Sequence, residues 1–235
     1  MSIRNLTNKD WSIFDNDLQN EYDRCENLFN EDLIRYIFVQ SYSKMNSIKT
    51  VKSARIEVSY RKNSGIGTPL KLNQSVINYE ELNRCRADLY YESNDEVVEL
   101  KFHRRSIYSG NCTSSKLGSV LNDFNRLSVL KNNGKYSIYV CDEQMKNYFE
   151  KHHSTLYPMF DFDNVAVCSM LKVKDHSGKK GLGEILKKAF YSFEIDKRGF
   201  DITQFGYNVR LLHKAKINGN TVNKNLYLYV FEILV

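Results

Sequence analysis

Arg84-Cys-Arg-Ala-Asp-Leu-Tyr-Tyr-Glu-Ser-Asn-Asp-Glu-Val-Val-Glu-Leu-Lys-Phe102 is the stretch on which the reading of this chain turns. It predicts two strands around a polar turn, Ser93-Asn94-Asp95. A two-residue loop of Ser93 and Asn94 sets Asp88 opposite Glu99. A loop of Asn94 and Asp95 sets Asp88 opposite Lys101. Strand side chains alternate faces, so either register leaves Asp88, Glu99 and Lys101 on one face. The other face would carry Ala87, Leu89 and Tyr91 against Val98, Leu100 and Phe102, an apolar surface. Two carboxylates and an ammonium on one rigid scaffold can hold a hard divalent cation beside a fixed positive charge. The alternative is a row of cross-strand ion pairs on a solvated sheet face.

The elements on either side follow from periodicity. Residues 12–45 read as helical with a break near Asn27–Asn30, and Leu33, Ile34, Ile37 and Phe38 repeat at helical spacing. Glu31 and Asp32 open that second stretch, where the helix dipole favours carboxylates. Residues 51–61 read as a strand, and 62–83 as a loop containing Gly65, Gly67 and Pro69. Residues 114–131 read as a helix with the stripe Leu117, Val120, Leu121, Phe124, Leu127 and Leu130. Lys135–Cys141 reads as a buried strand. Beyond 145, Val165–Val173 suggests a strand, Gly183–Phe193 a helix, and Val209–Ile217 with Asn225–Leu234 a final hairpin.

Composition narrows the class. At 235 residues with 42% apolar content the chain can bury a substantial core. No apolar run reaches the length of a membrane span, and the N-terminal residues lack the apolar region of a signal peptide, so no membrane association and a cytoplasmic location are expected. Five scattered cysteines without a CxxC pair read as reduced thiols and give no zinc site. Charge is uneven: residues 1–100 hold 13 Lys/Arg and 16 Asp/Glu, leaving 21 and 12 of the totals of 34 and 28 for residues 101–235. A basic second half suits a polyanion such as nucleic acid.

The order helix, three strands, helix, strand, with an acid on the second strand and Glu-x-Lys on the third, resembles the PD-(D/E)XK nuclease superfamily. The resemblance covers roughly residues 25–141. It matches Asp88 to the first acid, Glu99 to the second and Lys101 to the lysine, although Ala87 stands where the motif's name has proline. It implies an α/β (α+β) restriction-endonuclease-like fold, a central mixed sheet flanked by helices. Residues 1–145 would form this core, and 146–235 a basic C-terminal elaboration packed on it for DNA contact or dimerisation. It also implies Mg²⁺, replaceable by Mn²⁺, held by Asp88, Glu99 and the Leu100 backbone carbonyl. Glu31, or else Asp32, would be the added carboxylate from the first helix.

The activity implied is Mg²⁺-dependent hydrolysis of double-stranded DNA by a type II restriction-type endonuclease, working as a homodimer beside a cognate methyltransferase. A phage-defence effector nuclease or a resolvase would share the core. The reading from a different class is a non-catalytic nucleic-acid-binding or assembly protein that retains the fold. Phosphate contacts are expected from Arg104 and Arg105 after the third strand, from Lys116 and Arg126 on the 114–131 helix, and from Lys179 and Lys180 in the lysine-rich segment Lys172–Lys188. His152-His153 diverge on either secondary structure, which argues against a shared metal.

Overall fold

The structure, a computed structural model, describes residues 1–45, 54–60, 70–72, 82, 84–104, 113–148, 167–169, 188–193, 207–220 and 224–235. Helix α1 (Asn8–Cys25) starts at a capping box, in which Thr7 Oγ1 accepts from the Asp10 N–H and Asp10 Oδ2 accepts from the Thr7 N–H at 2.8 Å. Its Trp11, Phe14, Leu18 and Tyr22, spaced three and four apart, are buried. After a short 3₁₀ turn, α2 (Glu31–Met45) begins where Asn30 Oδ1 accepts from the Leu33 N–H at 2.9 Å. It buries Ile34, Ile37, Phe38 and Tyr42.

Strands β1 (Ala54–Ser59), β2 (Arg86–Tyr91), β3 (Glu96–His103), β4 (Gly134–Asp142), β5 (Val167–Ser169), β6 (Asn208–Ile217) and β7 (Leu226–Leu234) form one mixed sheet of order β1-β2-β3-β4-β7-β6-β5. Strands β3 and β4 are parallel, and α3 (Thr113–Ser128) lies between them in the chain, as a parallel crossover requires. The other pairings are antiparallel.

Every residue of β4 is buried, because helices cover both faces of the sheet. Tyr136, Ile138 and Val140 pack with α1 and α2, together with Leu89, Val98 and Leu100. Tyr139 and Cys141 pack with Leu117, Val120, Leu121, Phe124 and Leu127 of α3, together with Val97. Ala87 belongs to this second cluster, although alternation from Leu89 predicts the first. The expected boundary at 145 leaves no break in the sheet: β7 pairs directly with β4, from Tyr136↔Glu232 to Asp142↔Leu226, and β6 continues from β7. The C-terminal hairpin thus completes the same layer instead of standing beside it. Within residues 183–193, the described part holds helical residues 188–189 and the 3₁₀ turn Tyr191–Phe193.

Candidate active site

The hairpin register is Leu89↔Val98, Tyr90↔Val97, Tyr91↔Glu96, the one that sets Asp88 opposite Glu99. The chain reverses over Glu92–Asp95, where Asp95 takes a left-handed φ of 56°. The backbone ladder between β2 and β3 ends at Leu89↔Val98, while β2 stays paired to β1 as far as Ser59↔Arg86. The two strands therefore splay at Asp88. Two N–H groups of β3 that a continued ladder would have paired find carboxylates instead. Asp88 Oδ2 accepts from Leu100 N–H at 2.6 Å, and Glu31 Oε2 accepts from Phe102 N–H at 3.1 Å. A strand residue presents its N–H and C=O to the same side, so the Leu100 carbonyl opens into this gap.

Both helical layers reach into the splay. From α2, the Arg35 guanidinium donates to Asp88 Oδ1 at 2.6 Å and lies 3.1 Å from Glu57 Oε1 and 3.3 Å from Asp32 Oδ1. From α3, Arg126 Nη2 stands 2.9 Å from Glu99 Oε2 and 2.7 Å from Asp123 Oδ1. The Tyr60 hydroxyl donates to Glu99 Oε1 at 2.9 Å. Lys101 lies between the layers, its Nζ 3.8 Å from Glu31 Oε2 and 3.6 Å from Asp123 Oδ2. The site thus has a wet side and a dry side. The Glu31 and Lys101 side chains remain 34% and 23% exposed, whereas those of Glu99 and Asp123 are 2% and 5% exposed.

These surroundings set the protonation states. Burial pushes the Glu99 carboxyl well above the usual carboxylate range, and Asp88 and Asp123 push the same way against Arg126 and Tyr60. Asp123 is raised for the same first reason. Lys101 is raised by Asp123 and then Glu31, in spite of its burial, so it is an ammonium at any physiological pH. Burial raises Glu31 against the pull of Lys101. Two residues further along β3, burial lowers His103 to about 3, with Lys101 and Lys116 adding to the effect. Its ring is held neutral between Tyr139 Oη at 3.2 Å and Ser119 Oγ at 3.3 Å.

Of the residues predicted from sequence, Lys101 and Glu31 come within 3.8 Å of each other, while Asp88 is held by Arg35 of α2 and Glu99 by Arg126 of α3, from opposite sides of the splay. Asp32 turns outward: its side chain is 83% exposed and pairs with Arg35. Arg126, expected on an outer phosphate-binding surface, is corrected to a buried partner of Glu99 and Asp123, because α3 turns this flank of its stripe onto the β3 carboxylates. Arg104 turns back to the Glu26 carbonyl at 2.9 Å, and Lys116 Nζ donates to the Arg104 carbonyl at 2.8 Å. Arg105, Lys179 and Lys180 lie outside the described residues.

Sequence reasoning passed over Arg35, Tyr60, Asp123 and Glu57. Asp123-x-x-Arg126 carries the signature of a solvated helical ion pair, and only the position of α3 against β3 makes it part of the site. Glu57 has a left-handed φ of 55° in an edge strand, a conformation that the sequence does not announce.

Four carboxylates and a carbonyl are the hard oxygen donors that Mg²⁺ takes. Among the described residues, however, no group of three or more His, Cys, Asp or Glu stands arranged to hold a metal ion. Arg35 and Arg126 stand against Asp88 and Glu99 as their counter-ions. The chain matches no protein-family model, no curated protein and no solved structure.

Proposed function

We propose that the protein is a metal-dependent deoxyribonuclease of restriction-endonuclease type, working at the splay between β2 and β3. One observation carries this reading: Lys101, fixed as an ammonium, is bracketed by Glu31 and Asp123 in the gap that Asp88 and Glu99 flank. Buried, charge-coupled groups with shifted proton affinities cluster at functional sites.

Asp88, Glu99 and the Leu100 carbonyl would hold Mg²⁺, which when bound polarises a phosphodiester and activates water. Lys101 cannot take up a proton, so its role is to orient and neutralise phosphate oxygens as a point charge. Glu31 is the carboxylate on the open side whose proton affinity is raised, which suits it to accept a proton from water. Asp88, locked to Arg35 and Leu100 N–H, keeps the strands apart at the reacting position. Double-stranded DNA is the proposed substrate, with a homodimer cutting both strands and a companion methyltransferase as partner.

Plasmid cleavage in Mg²⁺ or Mn²⁺ tests this reading. Glu99→Ala should abolish cleavage while DNA retention in a gel-shift assay persists. A specific observation favours the second reading, a DNA-binding or assembly protein: Arg126 already neutralises the buried Glu99. Wild-type protein that binds DNA but leaves it intact across metals and salt would favour that second reading.

A further inference from the structure

Among the described residues, Glu232 alone takes two guanidinium groups. Arg4 Nε donates to its Oε1, and Arg210 donates to its Oε2 through Nη2 and, at 2.8 Å, through Nε. The Glu232 side chain is fully buried, while 48% of the Arg4 and 29% of the Arg210 side chain remain exposed. One side-on guanidinium satisfies a carboxylate, so the second arginine exceeds what Glu232 needs. Among the described residues no hydrogen bond engages Nη1 or Nη2 of Arg4, or Nη1 of Arg210. Both arginines are held in place. Arg4 lies in the 3₁₀ turn Ile3–Asn5, whose Ile3 N–H donates to Glu96 at 3.0 Å, and Arg210 lies on β6 directly opposite Glu232. Lys135, near the start of β4, adds a third positive charge. Burial lowers its proton affinity, and Arg4 lowers it further against Glu232. Three cations thus face Glu232 and, more weakly, Glu96, which leaves one positive charge in excess. Arg24 and Arg55, also exposed, are each matched by one surface carboxylate, Glu21 and Glu92.

Resting on the reading of the chain as a nucleic-acid-binding protein, catalytic or not, we propose that Arg4 and Arg210 form a binding site for a backbone phosphodiester of a nucleic-acid strand, separate from the splay. Planar guanidinium forks suit phosphate oxygens, and two of them brought together from different elements can clasp one group. Glu232 sets the forks side by side, and both of its oxygens are taken up in doing so. The single excess charge matches a phosphodiester, which carries one negative charge; a phosphate monoester carries about 1.5 to 2 at pH 7. Glu232 pairs with Tyr136 on β4, and Tyr136 with Val98 on β3, which precedes Lys101. At about 3.3 Å per residue and 4.8 Å per strand, Arg210 therefore lies roughly 15–20 Å from Lys101. The pair is a contact that positions a strand without reading its sequence. It supplies what Arg104, Lys116 and Arg126 do not, since those three turn to partners within the protein.

Fluorescence anisotropy of a labelled DNA duplex, titrated with the full chain at several salt concentrations, tests the site without recourse to activity. Losing one phosphate contact lowers the steepness of log K against log salt by about 0.9 and weakens binding about fivefold to tenfold near 0.1 M salt. Arg4→Gln should show both changes, equally on unrelated duplex sequences, and Arg4→Lys, which keeps the charge, should recover most of the slope. Arg24→Gln removes an exposed arginine elsewhere on the surface and should leave both quantities unchanged. Arg4→Gln still leaves Glu232 with Arg210 as its counter-ion, so the buried pair survives; where Arg210→Gln folds poorly, the Arg4 variants decide alone. A wild-type slope in Arg4→Gln would overturn the proposal, as would an equal loss in Arg24→Gln or a wild-type protein without affinity for DNA. Inorganic phosphate that raises the unfolding temperature of wild type but not of Arg4→Gln, in a protein that does not bind DNA, would make a free anion the ligand and overturn the assignment to a strand. Slope loss in Arg4→Gln of a protein that never cleaves DNA would sustain the phosphodiester site and remove the nuclease reading. Cleavage with an unaltered slope would do the reverse.

Discussion

Replacing Asp88 by alanine removes both supports of the splay at once. Its Oδ1 holds Arg35 and its Oδ2 holds the Leu100 N–H, each at 2.6 Å. Hydrogen bonds to charged groups contribute about 1.5–3 kcal/mol, and a buried donor left without an acceptor costs about 1–3 kcal/mol. Leu100 is 1% exposed, so water cannot reach its N–H without local opening. Two effects offset part of the loss. Arg35 keeps Glu57 and Asp32 as partners, and Glu99 is relieved of a like charge. The expected net is a destabilisation of roughly 2–4 kcal/mol, in the range of lost buried networks. Asp88→Asn keeps one acceptor oxygen for Leu100 and should lose only about half as much, roughly 1–2 kcal/mol.

Urea unfolding followed by circular dichroism gives both values, and amide hydrogen exchange locates them: the Leu100 amide should lose protection in the alanine variant alone. For a chain of this size each kcal/mol corresponds to about 2–4 °C in Tm, so the alanine variant should melt some 4–16 °C lower. On the proposed nuclease reading both variants should also fail to cleave DNA, since neither offers a carboxylate. An alanine variant within about 0.5 kcal/mol of wild type, the scatter of ordinary surface changes, would refute the argument that this side chain replaces the backbone ladder. So would an asparagine variant less stable than the alanine one.

Three further outcomes are expected. A Cβ at Gly134 would stand 2.7 Å from Glu96 Cγ and from Tyr136 Cε2, so Gly134→Ala should cost about 1–3 kcal/mol by overpacking; an unchanged urea midpoint would refute the clash. His103 titrates near 3 in the folded chain but near its ordinary value of 6.5 when unfolded, so the folded state binds fewer protons between them and stability must fall as pH drops through that window. His103→Gln should flatten this acid limb, and an unaltered pH dependence of unfolding would count against the neutral, buried ring. Glu31 has the opposite sign: its raised proton affinity means folding weakens as pH rises from the ordinary carboxylate range into the folded one. Glu31→Gln should therefore match or exceed wild-type stability at neutral pH, and a clear loss of stability would refute that assignment.

The parts of the fold held by local pattern were legible. Leu117, Val120, Leu121, Phe124 and Leu127 of α3 are buried, as is Leu130 just past its end, and the hairpin took one of the two registers that its turn allows. What escaped depends on packing across the sheet. Asp123 and Arg126 flank an apolar stripe, and whether a flank meets water or β3 is set by how α3 lies on the sheet, which periodicity does not encode. Arg35 follows the same logic on α2. Glu31 and Asp32 were inseparable by dipole or propensity; a turn of about 100° per residue sends one to Lys101 and the other into solvent. The pairing of β7 with β4, from Tyr136↔Glu232 to Asp142↔Leu226, joins segments far apart in the chain, beyond any local signal.

Two buried glutamates three residues apart on β3 show what separates a site from a support. Glu96 is surrounded by neutral donors: Ser2 Oγ at 2.5 Å, Ile3 N–H at 3.0 Å, and the hydroxyls of Tyr42 and Tyr136 at 3.1 and 3.3 Å. Those bonds tie the first residues of the chain and α2 to the sheet, and a carboxylate so fully met has nothing left to offer a ligand. Glu99, on the opposite face, has two partners, Tyr60 and an arginine that it shares with Asp123, and lies among other carboxylates that oppose its charge. A fold needing only a buried anchor would have repeated the Glu96 solution. The strand instead meets its second glutamate with one hydroxyl and an arginine shared with Asp123, at the point where it parts from β2, so its charge is contested where that of Glu96 is fully met.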